Sequence, residues 1–368
     1  MKLAKRMDRL GTETAFVVLA RAKQLEAQGK DVVHLEIGEP DFDTPRNIID
    51  KAVDALRSGF THYGPSAGLP DVRKVIAEHI SRDRGIQVGP DNVVVTPGGK
   101  PVMYYVMTAL VDEGDEVIYP NPGFPIYESV INFLGAKAVP LKLAEEKQFN
   151  FDLADLKKLI TKKTKLLIIN SPQNPTGGVL TAHDLDEIAK LAVQHGFWVL
   201  ADEIYSKIIY AGRHESITTR PGMLERTIIL DGHSKTYAMT GWRLGYGVMP
   251  AELAAAVAKL QTNVASCTAT FTQMAGAEAL TGPQGDAEAM VKEFHAQGTY
   301  VIARIVAFKD SRLPYARPDL AVRIGARAER LYAVGENWLD HYSPEVQDYL
   351  VDIALELQSF GFDEIQFD

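Results

Sequence analysis

The chain has 368 residues, of which 46% are hydrophobic and 24% charged, a composition that suits a globular protein with a sizeable core and two or three domains. Its formal net charge of -9 comes from interspersed acidic and basic residues, which argues against nucleic acid or an anionic membrane as the main partner. The single cysteine, Cys267, excludes an intramolecular disulfide and a cysteine-based metal cage, so no metal site is expected.

The N-terminal residues M-K-L-A-K-R-M-D-R-L carry charges where a signal peptide needs an apolar core. No run approaches the roughly 18 apolar residues of a transmembrane helix. The sequence therefore predicts a cytoplasmic protein.

Short apolar runs rich in β-branched residues alternate with amphipathic stretches along the chain. The runs predict buried strands, and the stretches at 101–110 and 182–195 predict helices. Continuous apolar strands between helices predict an α/β fold, with a mostly parallel sheet covered by helices on both faces. The predicted strands are Asn92–Thr96, Glu116–Tyr119, Lys165–Ile169, Trp198–Ala201 and Thr227–Leu230.

Unusual residues follow these strands, at the edge where parallel sheets bind ligands. After the first strand comes P-G-G-K-P, Pro97–Pro101. Its glycines let the backbone approach an anion, and a helix beginning at Lys100 or Pro101 would point free N–H groups at it. Taken alone, the segment is an ordinary strand-to-helix turn. The chain contains no G-x-G-x-x-G, so a dinucleotide site has little support.

The next two strands are followed by S-P-Q-N-P-T-G, Ser171–Gly177, and by Asp202 in A-D-E-I-Y. Two prolines restrict the backbone around Asn174 and hold its amide in one pose, although rigid turns of this composition are common. Asp202 is either a helix N-cap, the commoner case, or a buried carboxylate with a cationic partner. Tyr205 lies one helical turn later. It is either part of the same site or an ordinary residue of the hydrophobic core.

The last strand leads into H-S-K-T-Y-A-M-T-G-W-R-L-G-Y, His233–Tyr246. A lysine between a buried strand and a glycine-rich aromatic stretch is unusual for a solvated surface charge. Its amine attacks aldehydes when burial or a nearby cation depresses the lysine pKa, and Arg243 is a candidate for that cation. Arg243 and Ser234 together would suit a phosphate.

These motifs resemble the fold-type I, class I/II aminotransferases, in the family's order and at its usual separations. The resemblance also covers G-E-P-D-F-D-T-P (Gly38–Pro45) and H-Y-G-P-S-A-G-L-P (His62–Pro70), and it runs from about residue 5 to residue 296. It implies a pyridoxal-phosphate (PLP) enzyme that moves an amino group between an amino acid and a 2-oxo acid by a ping-pong mechanism.

The resemblance also implies residue roles. Lys235 would hold the cofactor as a Schiff base and then move the substrate's α-proton, while Asp202 would pair with the pyridine nitrogen. Asn174 and Tyr205 would bind the ring's phenolic oxygen, and Phe124 would stack on the ring. The remaining matches are the phosphate cradle (Gly99 and Lys100 through backbone N–H groups, Ser234, Arg243), Tyr63 reaching the phosphate of a homodimer partner, and Gly38 contacting the substrate carboxylate.

Two alternatives remain open for this part of the chain. One is another PLP reaction on the same fold, such as β-elimination or decarboxylation. The other is a cofactor-binding protein without turnover, because the C-terminal region is atypical, truncated or replaced. The family's usual arginine for the substrate carboxylate is not recognisable, and A-V-R-I-G around Arg323 matches its context only superficially.

From about Gly298 the chain instead resembles part of a glycoside hydrolase family with a (β/α)8 barrel. The segments on which this resemblance rests are Gly298–Asp310, Ala316–Arg323, Tyr342–Leu357 and Gly361–Asp368. They predict strands at 300–308 and 364–367 around a helix at 344–360, a βαβ-like piece far short of a barrel. Carboxylates for a glycosidase would be Asp340, Glu364 and Asp368, but acidic residues there are more often solvated.

We accordingly expect three parts: an N-terminal arm with part of a small domain (1–40), a PLP-binding large domain (41–296) and an atypical segment (297–368). A natural fusion, a recombination and a sequencing artefact each account for a junction near residue 296. We expect the last segment to pack loosely or to be poorly ordered, because a partial barrel leaves strand edges unpaired.

Overall fold

The computed structural model describes residues 3–12, 15–32, 34, 37–209 and 213–296, and short strands between residues 302 and 367. The chain divides into two compact units, residues 1–288 and 289–368. The predicted domain boundaries remain a prediction.

The first unit contains an eight-stranded sheet with the strand order β1-β8-β7-β6-β5-β2-β3-β4. The five predicted strands are all present, and four of them extend to include the polar residues that follow the apolar run. The strands are β1 (Val93–Thr96), β2 (Glu116–Asn121), β3 (Lys137–Ala144), β4 (Asn150–Phe151), β5 (Thr164–Asn170), β6 (Trp198–Asp202), β7 (Thr227–Gly232) and β8 (Gly245–Val248).

The predicted mostly parallel sheet is confirmed: β3, β2, β5, β6 and β7 pair in parallel. Strand β8 is antiparallel to both of its neighbours, β1 and β7, and was not predicted, because glycine is poorly represented in strands. Close backbone approach explains its glycines. A Cβ on Gly245 would meet the Gly98 carbonyl carbon at 2.6 Å, and one on Gly247 would meet the Val102 side chain at 2.7 Å.

Helices cover both faces of this sheet, because alternate residues of each strand are buried on opposite sides. Leu166 and Ile168 pack in the cluster formed with α4, α5 and α8, whereas Leu167 and Ile169 pack in the cluster formed with α6 and α7. A third cluster joins α2, α3 and α9 to β1 and β8. The helices are α1 (Ala15–Glu26), α2 (Arg46–Arg57), α3 (Pro70–Arg84), α4 (Gly99–Leu110), α5 (Ile126–Leu134), α6 (Leu153–Leu159), α7 (Ala182–His195), α8 (Ala251–Ala265), α9 (Thr270–Thr281) and α10 (Gly285–Ala296).

Helix α7 has the predicted limits, and α4 begins at Gly99, one residue earlier than the first predicted start. Among the residues that the structure describes, no helix has the length and apolar character needed to span a membrane.

In the second unit, β9 (Ile302–Ile305) pairs in parallel with β14 (Glu364–Phe367), so both predicted strands are present in their central residues. The predicted helix at 344–360 lies outside the described residues. So does most of the segment for which loose packing was predicted. Two short antiparallel pairs complete the described part, β10 (Arg323–Ile324) with β11 (Glu329–Arg330) and β12 (Tyr332–Ala333) with β13 (Glu336–Asn337).

Candidate active site

Asn170, the last residue of β5, connects two of the predicted site segments at the carboxyl edge of the sheet. Its side-chain amide donates to the carbonyl oxygens of Pro172 and Asp202, both at 3.0 Å. Its side-chain oxygen accepts from the backbone N–H of Asn174 at 2.7 Å. All three partners of a fully buried amide are therefore backbone groups, and together they hold the Ser171–Gly177 loop against the end of β6.

The predicted pair of Asn174 and Tyr205 is in contact. The Asn174 amide nitrogen lies 3.4 Å from the Tyr205 hydroxyl, and both side chains are half-buried. The Lys235 amine lies 5.8 Å from the centre of the Tyr205 ring. Tyr205 thus contacts an amide on one side and an amine on the other, which a plain core tyrosine would not do.

The Lys235 amine also donates a hydrogen bond to the carbonyl oxygen of Gly38, about two hundred residues earlier in the chain. The segment around Gly38 is held there by further bonds, the nearest of which the Thr240 hydroxyl donates to the Glu39 carboxylate at 2.7 Å. The Thr44 hydroxyl donates to the Ala238 carbonyl at 2.6 Å, and the Trp242 indole donates to Thr44 at 2.9 Å. The structure therefore brings the predicted substrate-binding segment to the predicted catalytic lysine.

Asp202, the last residue of β6, is a buried carboxylate, and the residues after it form turns rather than a helix, so the prediction of a helix N-cap is wrong. Among the described residues its hydrogen-bond partners are neutral: the Tyr127 hydroxyl donates to its Oδ2 at 2.6 Å, and the backbone N–H of Ile204 donates to its Oδ1 at 3.3 Å. Burial raises the pKa of Asp202 to about 6, although both hydrogen bonds lower it.

Tyr127 was not predicted from the sequence as a site residue. It is fully buried in α5, and burial together with the neighbouring Asp202 raises the pKa of its hydroxyl well above the ordinary value. It lies three residues after the predicted site residue Phe124 in N-P-G-F-P-I-Y. This short spacing is the signal from which Tyr127 could have been predicted as a site residue. The two rings meet edge to face with their centres 5.7 Å apart, so Tyr127 contacts both Phe124 and Asp202.

Lys100 contributes its side chain as well as its backbone. Its amine lies 5.1 Å from the centre of the Phe124 ring, a cation–π distance. The sequence pattern predicted only its N–H group, in the first turn of α4. Phe124 is therefore held between Lys100 and Tyr127, with its side chain half-buried.

An anion cradle forms where the first turn of α4 meets the Arg243 side chain. Gly98 has a φ of 92°, and a Cβ at this position would lie 2.3 Å from the Arg243 guanidinium. Only glycine fits this position, for its backbone conformation and for its lack of a side chain. The guanidinium donates to the Thr240 carbonyl at 2.7 Å, and Gly99 begins the helix, so positive charge and free N–H groups converge.

The remaining two predicted residues are less tied to this cluster. Ser234 precedes Lys235 and is half-buried in the turn after β7, where its carbonyl accepts from the Met239 N–H at 3.1 Å. Tyr63 is separate, with 90% of its side chain exposed.

This donor set fits pyridoxal phosphate. Because Gly98 has no side chain, the Arg243 guanidinium can lie against the N-terminus of α4, and this combination suits a phosphate. Asp202 is a buried carboxylate for a ring nitrogen, Phe124 is an aromatic side chain for the ring face, and Lys235 is an amine for the aldehyde.

The chain matches the family model described as aminotransferase class I and II over residues 30–320. The match continues past residue 296, where the sequence motifs ended.

Individual relatives agree with this match. The chain is 42% identical to an aspartate aminotransferase of Pyrococcus abyssi over 302 residues, which cover 81% of this chain and 77% of that protein. Among solved structures, it is similar to the aspartate aminotransferase from Thermus thermophilus with maleate, with a TM-score of 0.77, 37% identity and coverage of 81% of this chain and 77% of that one. It is also similar to an aromatic aminotransferase from Pyrococcus horikoshii, with a TM-score of 0.69, 38% identity and coverage of 80% and 77%.

Proposed function

This chain belongs to the class I and II aminotransferases and is a PLP-dependent enzyme of transamination, and we propose that Lys235, Asp202 and Tyr205 carry out the reaction in it. The observation that supports this proposal best is the contact of Tyr205 with both Asn174 and the Lys235 amine. These residues come from three separate loops, and a purely structural cluster would not need an amine, an amide and a phenol together.

Lys235 would bind the cofactor covalently through its amine. An incoming amino acid would displace that amine, and the Lys235 Nζ would then remove the proton from the substrate α-carbon. Bound pyridoxal phosphate supplies the electron sink for the charge left at that carbon. The Gly38 carbonyl, which accepts a hydrogen bond from the lysine amine, would orient Nζ while it carries the proton.

Asp202 would accept a hydrogen bond from the protonated ring nitrogen of the cofactor. Its pKa of about 6 belongs to a buried carboxylate without a cationic partner, and a positive charge on the ring nitrogen would lower that pKa. Tyr205 and Asn174 would bind the phenolic oxygen. The Arg243 guanidinium, Ser234 and the first turn of α4 from Gly99 would bind the phosphate.

We further propose that the enzyme is a homodimer in which Tyr63 reaches the partner's phosphate. The exposed Tyr63 side chain supports a contact beyond its own subunit. For the amino donor we propose aspartate, the substrate in the name of the Pyrococcus abyssi relative. The aromatic aminotransferase from Pyrococcus horikoshii has a comparable identity of 38%, so aromatic donors are the alternative to test.

The test uses the full-length chain purified with pyridoxal phosphate. Borohydride reduction followed by peptide mapping should find the cofactor on Lys235, and Lys235→Ala should lose this adduct and its visible absorption band. Lys207→Ala is the matched control, because Lys207 is an exposed lysine only two residues beyond Tyr205. An adduct spread over surface lysines would overturn the assignment of Lys235.

Adding one amino acid at a time to the unreduced protein then separates the competing reactions. Conversion of bound pyridoxal phosphate to pyridoxamine phosphate with release of the matching 2-oxo acid supports transamination. Release of ammonia or carbon dioxide would instead identify elimination or decarboxylation. A Lys235 adduct with no conversion by aspartate, glutamate, alanine or phenylalanine would indicate cofactor binding without turnover.

For the part of residues 297–368 that lies beyond the aminotransferase match, we propose a segment derived from a glycoside hydrolase barrel, without glycosidase activity of its own. The parallel pairing of β9 with β14 supports a βαβ-like piece, since parallel neighbours need a crossover connection.

A further inference from the structure

Arg84 is a buried cation outside the site described above. It ends α3, only 2% of its side chain is exposed, and its guanidinium contacts three carboxylates and one hydroxyl. The Nε donates to Glu203 at 2.6 Å, and one Nη donates to both Asp231, at 2.9 Å, and Ser206, at 3.0 Å. The other Nη donates to Asp83.

Two of these partners, Glu203 and Ser206, alternate along the chain with the site residues Asp202 and Tyr205. All four residues lie at the end of β6 or in the turn that follows it. Glu203 and Ser206 contact Arg84, whereas Asp202 and Tyr205 contact Tyr127 and Asn174. The N–H of Ser206 donates to the carbonyl of Glu203 at 2.8 Å, which closes the turn. The turn therefore has one side in the candidate active site and the other side bound to a single guanidinium.

The third partner, Asp231, connects Arg84 to the segment that carries the lysine. Asp231 lies in β7, four residues before Lys235, and its second oxygen accepts from the Gly232 N–H at 2.7 Å. Arg84 thus joins the end of β7 to the turn after β6. A change in its position would shift Tyr205 relative to Lys235.

Further groups surround Glu203 and complete the cluster. The Ser216 hydroxyl donates to its Oε1 at 2.6 Å. His214 Nε2 lies 3.0 Å from its Oε2, although the imidazole has no hydrogen bond of good geometry with any described residue, so this contact is an ion pair at most. Burial alone would raise the pKa of Glu203, but Arg84, with His214 and Ser216, lowers it to about 2. Glu203 is thus ionised near neutral pH, and the Arg84 pair is charged.

We propose that Arg84 is a positioning residue of the active site, which sets the distance between the Asp202–Tyr205 turn and Lys235 through Glu203, Ser206 and Asp231. The proposal rests on the residue roles proposed above. The competing explanation is that the ion cluster stabilises the fold as a whole and has no particular effect on the site.

Hydrogen exchange of the cofactor-free protein separates these explanations. Arg84→Lys keeps the positive charge but loses the planar guanidinium, whose N–H groups bond several partners at once. Ser206→Ala removes one hydroxyl contact of Arg84 and leaves the ion pairs intact. We expect amides 203–208 to exchange about tenfold faster in both variants, the equivalent of losing one hydrogen bond to a charged group. The controls are Arg73→Lys, an arginine of the same helix that bonds the Val93 carbonyl, and Thr164→Val, a buried hydroxyl at the opposite edge of the sheet.

The second measurement is the affinity for pyridoxal phosphate. We expect the Kd to rise about 10- to 100-fold in Arg84→Lys and less in Ser206→Ala, since small displacements of positioning groups have effects of this size. Exchange at control rates, or faster exchange with an unchanged Kd, would overturn the proposal. If Arg84→Lys does not fold, Ser206→Ala decides by the same two criteria. Absence of the wild-type Lys235 adduct would instead count against the proposed function, which the exchange experiment does not test.

Discussion

The two edges of the large sheet both carry polar side chains, but they bury them to different degrees. At the carboxyl edge, Asn170, Asp202 and Asp231 are buried ends of neighbouring strands. The side-chain partners of the two aspartates come from distant parts of the sequence: Tyr127 is 75 residues from Asp202, and Arg84 is 147 residues from Asp231.

At the amino edge the polar contacts are more exposed and join the starts of adjacent elements. Glu116, at the start of β2, accepts from Lys137 at 2.9 Å and from Thr161 at 2.6 Å. The Lys137 side chain is 68% exposed. Glu116 is itself buried, but its cation lies at the surface, whereas Arg84 is as buried as its carboxylates, so the ion pairs at the carboxyl edge have both partners inside the protein. The comparison teaches that burial of both partners, rather than the number of polar contacts, marks the edge at which the site is built.

The largest expected effect is that of Arg84→Met on stability. The change leaves the carboxylates of Glu203 and Asp231 buried without their cation, so the free energy of unfolding should fall by about 3–5 kcal/mol. Urea denaturation at pH 7 measures this loss. Arg73→Met is the control, because its carboxylate partner Asp91 is 91% exposed. A loss below about 1 kcal/mol would remove the distinction between the two edges.

His233 should make the carboxyl edge sensitive to acid. Burial lowers its pKa from 6.5 to about 4, although its hydrogen bond to the Gly276 carbonyl opposes this shift. The folded state therefore binds fewer protons than the unfolded state between these values. Stability from this group is complete above pH 6.5 and falls as the pH drops toward 4, by up to about 3 kcal/mol.

His233→Gln keeps a donor for Gly276 and removes the titration. The difference in unfolding free energy between wild type and variant should therefore change over this pH range and be constant above it. Parallel urea curves at pH 4.5, 5.5, 6.5 and 7.5 measure the difference, with His183→Gln, on an exposed position of α7, as the control. A constant difference across the series would contradict the assignment to His233.

Tyr127→Phe should have a smaller effect, which acts through the titration of Asp202. The pKa of Asp202 in the folded state, about 6, lies above its ordinary value of 3.8, so its contribution to stability is present below pH 3.8 and lost as the pH rises through 6. The Tyr127 hydroxyl lowers this pKa, so its removal should make that loss larger. We expect a cost of about 1–3 kcal/mol at pH 8 and less at pH 5.

Urea denaturation of the cofactor-free protein at both pH values tests this prediction. The double variant with Asp202→Asn is the control, because Tyr127→Phe should lose its pH dependence when no carboxylate remains. The same pH dependence in the Asp202→Asn background would place its origin elsewhere.

The smallest effect is expected at the amino edge. Lys137→Met removes an exposed partner of Glu116, which keeps its bond from Thr161, so the free energy of unfolding should change by no more than about 1 kcal/mol. The same urea experiment applies. A loss as large as that of Arg84→Met would show that both edges depend equally on their ion pairs.

Much of the site was predictable because each of its chemical groups lies in a short motif. The loops after β1, β5, β6 and β7 were recognised from glycines, prolines and single polar residues next to apolar runs, and the parallel sheet brings such loops to one edge. The roles of Lys235 and Asp202 followed from the resemblance to aminotransferases.

Besides strands β3 and β4, three features were missed for identifiable reasons. Strand β8 contains two glycines, because Gly98 and Val102 approach its backbone too closely for larger side chains. In a sequence, glycine usually indicates a turn rather than a strand. Tyr127 lies in an apolar helix and looks like any core aromatic residue. Arg84 lies among other charged residues at the end of an amphipathic helix, where a solvated arginine is the usual interpretation.

The sequence by itself determined the α/β class, five of the eight strands of the large sheet, the loops that carry the chemistry and the family, because these depend on local periodicity and on short motifs. Only the tertiary structure decided which groups support that chemistry. Tyr127 bonds Asp202, Arg84 joins two loops, and the Lys235 amine meets Gly38 because packing brings together residues between 75 and 197 positions apart. Contacts at such separations depend on how helices and strands pack, and no spacing of residues along one segment encodes them.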